Sequence, residues 1–160
     1  MKAVLHTPVY GALHDAFVHG ATIGGTSAGA AVMPEQMMTG NQLKGDKTYH
    51  ETFDKIIAGN IEFQQGLGLV DSVVIDQHFI VRSRNNRLIS ALAKYPSYTC
   101  IGINEATAII IHGKKVEVTG QGQVEVMSDP SGLKITDNGL IKFSGMRFSV
   151  YTAGDMFEIK

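Results

Sequence analysis

Gly24-Gly25-Thr26-Ser27-Ala28-Gly29-Ala30-Ala31 is the stretch of sequence that decides the fold. It follows the short apolar run 21–23, and its small residues continue into a helix start. We therefore predict a buried strand, a sharp turn and a helix in this order. Within it, residues 25–29 match G-x-S-x-G, a turn that strains the serine backbone and projects its hydroxyl above a sheet. A Cβ on either flanking glycine is expected to collide with neighbouring chain.

The same glycine-rich turn has a simpler interpretation. A strand-to-helix turn also binds phosphate at the helix N-terminus, or only reverses the chain. The G-x-S-x-G pattern alone is common by chance. It indicates a nucleophile turn here because a predicted strand precedes it and a predicted helix follows it.

Helical and apolar β-type segments alternate in the first two thirds of the chain. Helices are predicted from periodicity, with Gly20 and Tyr95-Pro96 as two of the helix ends. The predicted helices are 11–18, a helix near 52–57 within the polar segment 39–66, and 87–94. The predicted strands are 70–75, 100–103 and 107–111, followed by short strands over 115–160 with turns at 129–132 and 137–139.

This order favours an α/β fold with a mostly parallel sheet and flanking helices, closed by a C-terminal β meander. With 160 residues, 44% of them hydrophobic, and no internal repeat or linker, the chain is expected to form one domain, residues 1–160.

The net charge and the cysteine content of the chain indicate which partners and which cellular location to expect. A formal net charge of -1 gives no electrostatic reason to expect nucleic acid or an anionic membrane surface as partner. Cys100 is the single cysteine, so no intrachain disulfide is possible, and a reducing, cytoplasmic location is expected. The sequence has no signal-peptide pattern at its start and no apolar run long enough for a membrane span.

A serine nucleophile needs a base, and His78 is the best-placed of the six histidines. It follows the strand predicted at 70–75, at the carboxyl end where open α/β sheets build their sites. Glu105 follows the strand predicted at 100–103 and reaches the same edge, where it could orient the histidine. Asp76 is a rival acid, but it lies only two residues before His78 and would more easily support the local loop.

Four ordered motifs together resemble those of the cyanophycinases, which belong to the serine peptidase group that also contains dipeptidase E. The resemblance spans the chain from Ala12 to about Ile111. The motifs are Gly24-Gly25-Thr26-Ser27-Ala28-Gly29-Ala30-Ala31, Gly66-Leu67-Gly68-Leu69, Asp76-Gln77-His78-Phe79 with Arg82, Arg84 and Arg87, and Gly102-Ile103-Asn104-Glu105-Ala106-Thr107-Ala108.

The resemblance implies a fold like that of class I glutamine amidotransferases, which is flavodoxin-like, and a triad of Ser27, His78 and Glu105. Ala28 N–H is then expected to donate to the oxyanion. The family's substrate-pocket residues correspond to Gln77, Arg82, Arg84 and Arg87, together with Asp76 and Gly25 around the site. An alternative for the arginines, above all Arg87, is a solvated basic helix start. No metal and no cofactor are expected.

The implied reaction is hydrolysis of cyanophycin, an aspartate polymer with arginine on the β-carboxyl, into β-aspartyl-arginine dipeptides. The dipeptidase E branch is disfavoured because residues 39–42 offer no carboxylate before Asp46. Family members carry more of the fold before this point, including a Gly-Gly-Asp/Asn-Gln loop, so we expect a truncated member that associates as a homo-oligomer, a dimer. Two alternatives stay open: a catalytically silent binding or assembly module, and an α-aspartyl dipeptidase.

Overall fold

The computed structural model describes residues 1, 3–45 and 53–160 of the chain. The helices are α1 (Pro8–Val18), α2 (Ala28–Ala31) and α3 (Asn85–Lys94). The strands are β1 (Gln36–Gln42), β2 (Ile61–Gln65), β3 (Val73–Gln77), β4 (Thr99–Ile103), β5 (Thr107–His112), β6 (Lys115–Gly120), β7 (Val124–Ser131), β8 (Lys134–Ile135), β9 (Ile141–Lys142), β10 (Gly145–Tyr151) and β11 (Met156–Glu158). The expected mixture of helices and strands is confirmed.

The central sheet has four strands in the order β10-β7-β4-β3. β3 and β4 pair in parallel, with Asp76 opposite Gly102, whereas β7 is antiparallel to both β4 and β10. The expectation of a mostly parallel sheet is therefore wrong for the strands of the described residues. Parallel pairing needs a long crossover connection, which α3 provides between β3 and β4; the segment between β4 and β7 is a β-hairpin and provides none.

The C-terminal third is built of antiparallel strands, as the short β-rich segments predicted. β5 pairs with β6 and β6 with β11 in a second sheet, while β8 and β9 form a separate pair. The turn at 137–139 joins β8 to β9. The turn predicted at 129–132 is misplaced, because β7 continues through Ser131 in register with Gly145 and the chain bends only at Gly132.

Two hydrophobic clusters cover the two faces of β3 and β4. On one face, Val74 and Cys100 pack with Leu88 and Leu92 of α3. On the other, Val73 and Ile101 pack with residues of β6 and β7. Covered on both faces, these strands form a rigid support whose carboxyl ends lie at one edge.

Three elements differ from the sequence-based expectation. Residues 21–23 are largely exposed and lie in no sheet, since no strand of the described residues pairs with them. Residues 53–57 are not helical, because Ile56 and Ala58 hydrogen-bond to residues 139–141; Thr52 lies outside the described residues, as does Asp46. The polar segment 39–66 contains β2 and most of β1, which pair with each other.

The end of α1 agrees with the prediction. The helix ends at Val18, and Gly20 follows with a φ of 91°. None of the helices in the described part of the chain is both long enough and apolar enough to cross a lipid bilayer.

Candidate active site

Ser27 lies on a strained turn between the irregular segment 21–26 and α2. Its φ is 52° and its ψ is -118°, in a region that costs a non-glycine residue about 1–3 kcal/mol. A Cβ on Gly25 would lie 2.3 Å from the Gly29 carbonyl oxygen, so the turn requires glycine there. The same expectation for Gly29 is wrong, because a Cβ at that position would meet no atom within 4 Å.

The Gly66-Leu67-Gly68-Leu69 motif supports the end of the serine turn. Leu67 N–H donates to the Val32 carbonyl at 2.6 Å, and Leu69 N–H donates to the Met33 carbonyl at 2.9 Å. These bonds tie the segment that follows Ser27 to the segment that leads into β3.

His78 directly follows β3 and also has a positive φ, 50°. Its Nε2 lies 2.9 Å from the Ser27 Oγ, which is hydrogen-bond distance. Phe79 N–H donates to the Ile103 carbonyl at 3.2 Å, so the turn that carries the imidazole is attached to β4.

Glu105 comes from the turn after β4. Its Oε1 lies 3.0 Å from His78 Nδ1, and its side chain is about half exposed (54%). Two hydrogen bonds hold this turn. Gln121 N–H, just after β6, donates to the Ala106 carbonyl, and Thr107 Oγ1, at the start of β5, donates to the Glu105 carbonyl. Ser27, His78 and Glu105 are thus brought together by three turns from different parts of the sequence.

A cavity of about 740 Å³ opens at these three side chains. Its walls include apolar residues such as Ile23, Met33 and Ile109, and polar residues including Asn104. Gly25 and Gln77 line it, as expected for residues near substrate, whereas Ala28, Asp76, Arg82, Arg84 and Arg87 are not among its lining residues.

Ala28 directly follows Ser27 and begins α2. Within the part of the chain that the structure describes, this N–H makes no hydrogen bond, although those of Gly29 and Ala30 donate to Thr26 and Ser27 carbonyls. An unused N–H directly after the serine is the group that an oxyanion would accept from.

The side chains of Asp76, Arg84 and Arg87 lie inside the fold next to one another and are not part of the cavity wall. All three side chains are buried, and Asp76 is only 1% exposed. Arg87 Nε donates to Asp76 Oδ2 at 2.6 Å, its Nη2 donates to Oδ1, and Arg84 Nη1 lies 3.3 Å from Oδ1. The alternative that Arg87 belongs to a solvated helix start is wrong, because its side chain is buried. Among the described residues Glu105, and not Asp76, is the carboxylate within hydrogen-bond distance of the His78 ring.

Arg82 and Gln77 differ from the buried arginines. Arg82 is partly exposed, and its backbone N–H donates to the His78 carbonyl at 3.2 Å. Gln77 accepts a hydrogen bond from Arg84 Nη1 at 3.2 Å through its side-chain oxygen, while also lining the cavity.

Sequence reasoning missed several groups in the cavity wall. Asn104 lies in a quoted motif, yet its side-chain oxygen was given no role; it is buried and has no hydrogen-bond partner among the described residues. Lys114 and Lys160 also line the cavity. No local pattern marks these lysines, because the hairpin and the last strand bring them there. No group of three or more potential metal-ligating side chains lies together in residues 1, 3–45 and 53–160.

The comparison with known protein families gives a match over most of the chain. The sequence profile of peptidase family S51 matches residues 1–119. The chain belongs to peptidase family S51. The match covers all three residues of the serine, histidine and glutamate cluster.

Curated relatives agree with this family membership. The chain is 34% identical over 146 residues to a cyanophycinase of Geminocystis herdmanii, which covers 87% of the chain and 50% of the relative. It is 35% identical over 145 residues to a cyanophycinase of Trichormus variabilis, covering 86% of the chain and 45% of the relative. A cyanophycinase of Synechococcus elongatus is 29% identical over 162 residues, covering 96% and 47%. The S51 chain therefore spans about half the length of the curated relatives it matches.

Proposed function

We propose that this S51 chain is a serine-type peptidase in which Ser27, His78 and Glu105 act as nucleophile, base and orienting acid. The observation that carries the proposal is the hydrogen-bonded series from Ser27 Oγ to His78 Nε2 (2.9 Å) and from His78 Nδ1 to Glu105 Oε1 (3.0 Å). The backbone of Ser27, with its positive φ, supports it further, because such turns hold exposed nucleophiles.

The chemistry follows from which atoms lie within reach. The Ser27 Oγ attacks the carbonyl carbon of the scissile amide while His78 Nε2 accepts the hydroxyl proton. Glu105 accepts a hydrogen bond from Nδ1–H, which fixes the tautomer and stabilises the imidazolium. The Ala28 N–H donates to the oxyanion. His78 then gives its proton to the leaving amine, and water hydrolyses the acyl-enzyme with the same histidine as base.

The proposed substrate is cyanophycin or a related aspartyl or isoaspartyl peptide. The relatives' name, cyanophycinase, supports this choice, and so do the charges around the cavity. Lys114 offers an ammonium to a substrate carboxylate, while Asp71 offers a carboxylate to a guanidinium. A substrate that carries both charges, as an aspartyl-arginine unit does, matches this arrangement.

The surface of α1 bears on the association of the chain. α1 exposes the apolar side chains of Val9, Phe17 and Val18. Exposed apolar side chains favour association, so we propose a homodimer. The single cysteine, Cys100, requires no oxidising compartment, so the proposed location is the cytoplasm. Light scattering that gives a stable monomer would contradict the dimer.

A fluorophosphonate probe tests the nucleophile directly. The wild-type chain should be labelled covalently, Ser27→Ala should not, and Ser97→Ala, which removes an exposed serine outside the cavity, should be labelled like wild type. Release of β-aspartyl-arginine from cyanophycin, compared with cleavage of an α-aspartyl dipeptide, ranks the substrates. Absence of labelling in the folded wild-type chain would instead support a silent binding or assembly module.

A further inference from the structure

α1 precedes the Ser27 turn and packs loosely on the rest of the fold. None of its residues, Pro8–Val18, is buried. Two of its side chains nevertheless reach the same acceptor in a distant part of the chain. His14 Nε2 lies 2.6 Å from the Leu67 carbonyl oxygen, and the Tyr10 hydroxyl donates to that oxygen at 3.4 Å. In the part of the chain that the structure describes, these two hydrogen bonds are the ones that join α1 to another element.

The contact of His14 is the stronger of the two. A carbonyl oxygen can only accept, so the Nε2 atom of His14 carries the hydrogen and donates. Its 2.6 Å is short for an N–H···O bond, whereas 3.4 Å for the Tyr10 hydroxyl exceeds the ordinary range. The two rings are four residues apart on one helix face, with their centroids 4.5 Å apart. Tyr10 therefore supports the imidazole from the side, and His14 makes the polar link.

Leu67 also holds the opposite flank of the serine turn. Its N–H donates to the carbonyl of Val32, the residue that follows α2, at 2.6 Å. The two segments approach closely, since a Cβ on Gly66 would lie 2.7 Å from the Val32 carbonyl oxygen and 2.0 Å from that of Pro34. Leu67 itself is buried. One buried residue thus bonds to the chain before Ser27 through its C=O and to the chain after Ser27 through its N–H.

The segment between α1 and the serine has little support of its own. Residues 22–25 make no hydrogen bond within the described part of the chain, and residues 21–23 lie in no sheet. Ser27 has a φ of 52°, a conformation that persists only where the surroundings fix it. Because the irregular segment starts at the end of α1, the position of this helix limits where the chain can place Ser27.

We propose that His14 is a positioning residue for the nucleophile, because its bond to the Leu67 carbonyl fixes the chain that leads into Ser27. This inference rests on the proposed peptidase function and deepens it. His14 is not among the residues that line the cavity, so it acts through the turn and not on substrate. Loss of the donor should let the turn shift and carry Ser27 Oγ away from His78 Nε2, which lowers the rate of nucleophile activation.

The test separates the donor of His14 from its ring. His14→Gln keeps an amide N–H at a reach similar to that of Nε2 but removes the ring, whereas His14→Phe keeps a ring beside Tyr10 but removes the donor. His19→Phe is the matched control, because His19 is exposed and its Nδ1 contacts the carbonyl of Asp15 in α1 itself. Three quantities are measured on folded protein: the rate of labelling by a neutral fluorophosphonate, kcat for peptide, and the backbone amide NMR signals of residues 25–28.

Positioning by the donor predicts that labelling rate and kcat fall roughly tenfold in His14→Phe and stay within about twofold of wild type in His14→Gln and His19→Phe. The amide signals of residues 25–28 should shift or broaden in His14→Phe alone. The opposite order, with slow labelling of His14→Gln and normal labelling of His14→Phe, would mean that ring packing holds the helix, and it would overturn the role of the hydrogen bond.

The remaining outcomes are also decisive. Both variants are expected to fold, because α1 buries no residue. A His14→Phe chain that does not fold would mean that the bond serves stability, and the positioning role is then overturned. If folded wild-type protein is not labelled at all, the proposed function fails, yet the amide signals of residues 25–28 still report whether His14 fixes the turn. Signals unchanged in His14→Phe would then overturn the positioning role by themselves.

Discussion

The Ser27 Oγ and the His78 Nε2 meet at 2.9 Å although both residues have backbone φ angles in the left-handed region, 52° and 50°. Each such conformation costs about 1–3 kcal/mol for a non-glycine residue and persists only where the surroundings fix it. At Ser27 the close approach of Gly25 to Gly29 supplies that constraint, and at His78 the neighbours Gln77 and Phe79 supply it. The contact between nucleophile and base therefore depends on strain that the surrounding fold maintains.

Glu105→Gln should lower kcat by roughly a hundredfold. The amide keeps the size of the side chain but removes the negative charge that stabilises the imidazolium and selects the Nδ1–H tautomer. Because Glu105 is about half exposed, water can replace part of its stabilisation of the imidazolium. The loss of kcat should therefore be smaller than for a buried acid. Steady-state hydrolysis of the peptide substrate measures it. Glu117→Gln on the exposed side of β6 is the control, and equal activity of the two variants would remove Glu105 from the site.

Gly25→Ala should destabilise the fold by about 1–3 kcal/mol and abolish labelling of Ser27. Its Cβ would lie 2.3 Å from the Gly29 carbonyl oxygen and 2.6 Å from Met33 Cε, so the turn must shift. The matched control is Gly29→Ala, whose Cβ would meet nothing within 4 Å. Urea unfolding and fluorophosphonate labelling measure the two effects. If the two alanine variants behave alike, the close approach at Gly25 does not control the turn.

Much of the candidate site follows from a rule about strand ends. Because β3 and β4 are parallel, their carboxyl ends share an edge, and the residues just beyond them, His78 and Glu105, come close together. α3 was also predictable, since Tyr95-Pro96 ends it as the proline rule expects. These features depend on local sequence patterns and on the parallel pairing of β3 with β4, and both could be predicted from the sequence.

The features that could not be predicted depend on distant partners. Arginine is rarely buried, so nothing in the sequence indicates that Arg84 and Arg87 lie on Asp76 inside the fold. Residues 21–23 have the composition of a strand, but a strand needs a paired neighbour and finds none in the described chain. In β1 the buried positions Met38 and Gly40 alternate with more exposed ones, but because one of the two is a glycine the sequence itself shows no alternation of apolar and polar side chains.

Cys100 should be unreactive toward a thiol reagent in the native state at pH 8. The side chain is fully buried on β4, and burial raises the pKa of its thiol to about 12 against a weaker opposite influence of Lys160. Because the thiol pKa is higher in the folded than in the unfolded chain, its contribution to the free energy of unfolding is fully present below the unfolded pKa of about 8.5. The contribution is lost as the pH rises toward the folded value. Labelling with a chromogenic disulfide, with and without guanidinium, checks the prediction.

The control for this experiment is Ser97→Cys in the loop before β4. Because position 97 is exposed, the introduced thiol should react within the mixing time. Cys100 should react only after the chain unfolds. Stoichiometric reaction of Cys100 without denaturant would mean that β4 opens readily, which is incompatible with a rigid support for the site.

Lys160→Met should raise the pKa of Asp129 toward its ordinary value near 3.9. The hydrogen bond from Lys160, whose Nζ lies 2.6 Å from Asp129 Oδ1, is the largest cause of the lowered pKa, followed by the bond from the Ser128 hydroxyl. Since the folded pKa lies below the unfolded one, the stabilisation is present above about pH 4 and is lost as pH falls through the folded value. Carbon NMR titration of the carboxyl group measures the shift.

The accompanying change in stability should be small. Asp129 is exposed, and exposed ion pairs contribute about 0–1 kcal/mol, so Lys160→Met should unfold in only slightly less urea at pH 7. At a pH below the folded pKa of Asp129 the wild-type chain and the variant should unfold at the same urea concentration, because the carboxyl is then neutral in both. Lys134→Met, an exposed lysine on β8, should leave the Asp129 titration unchanged. A shift of equal size in both variants would indicate a general charge effect and would contradict a specific bond from the last residue to β7.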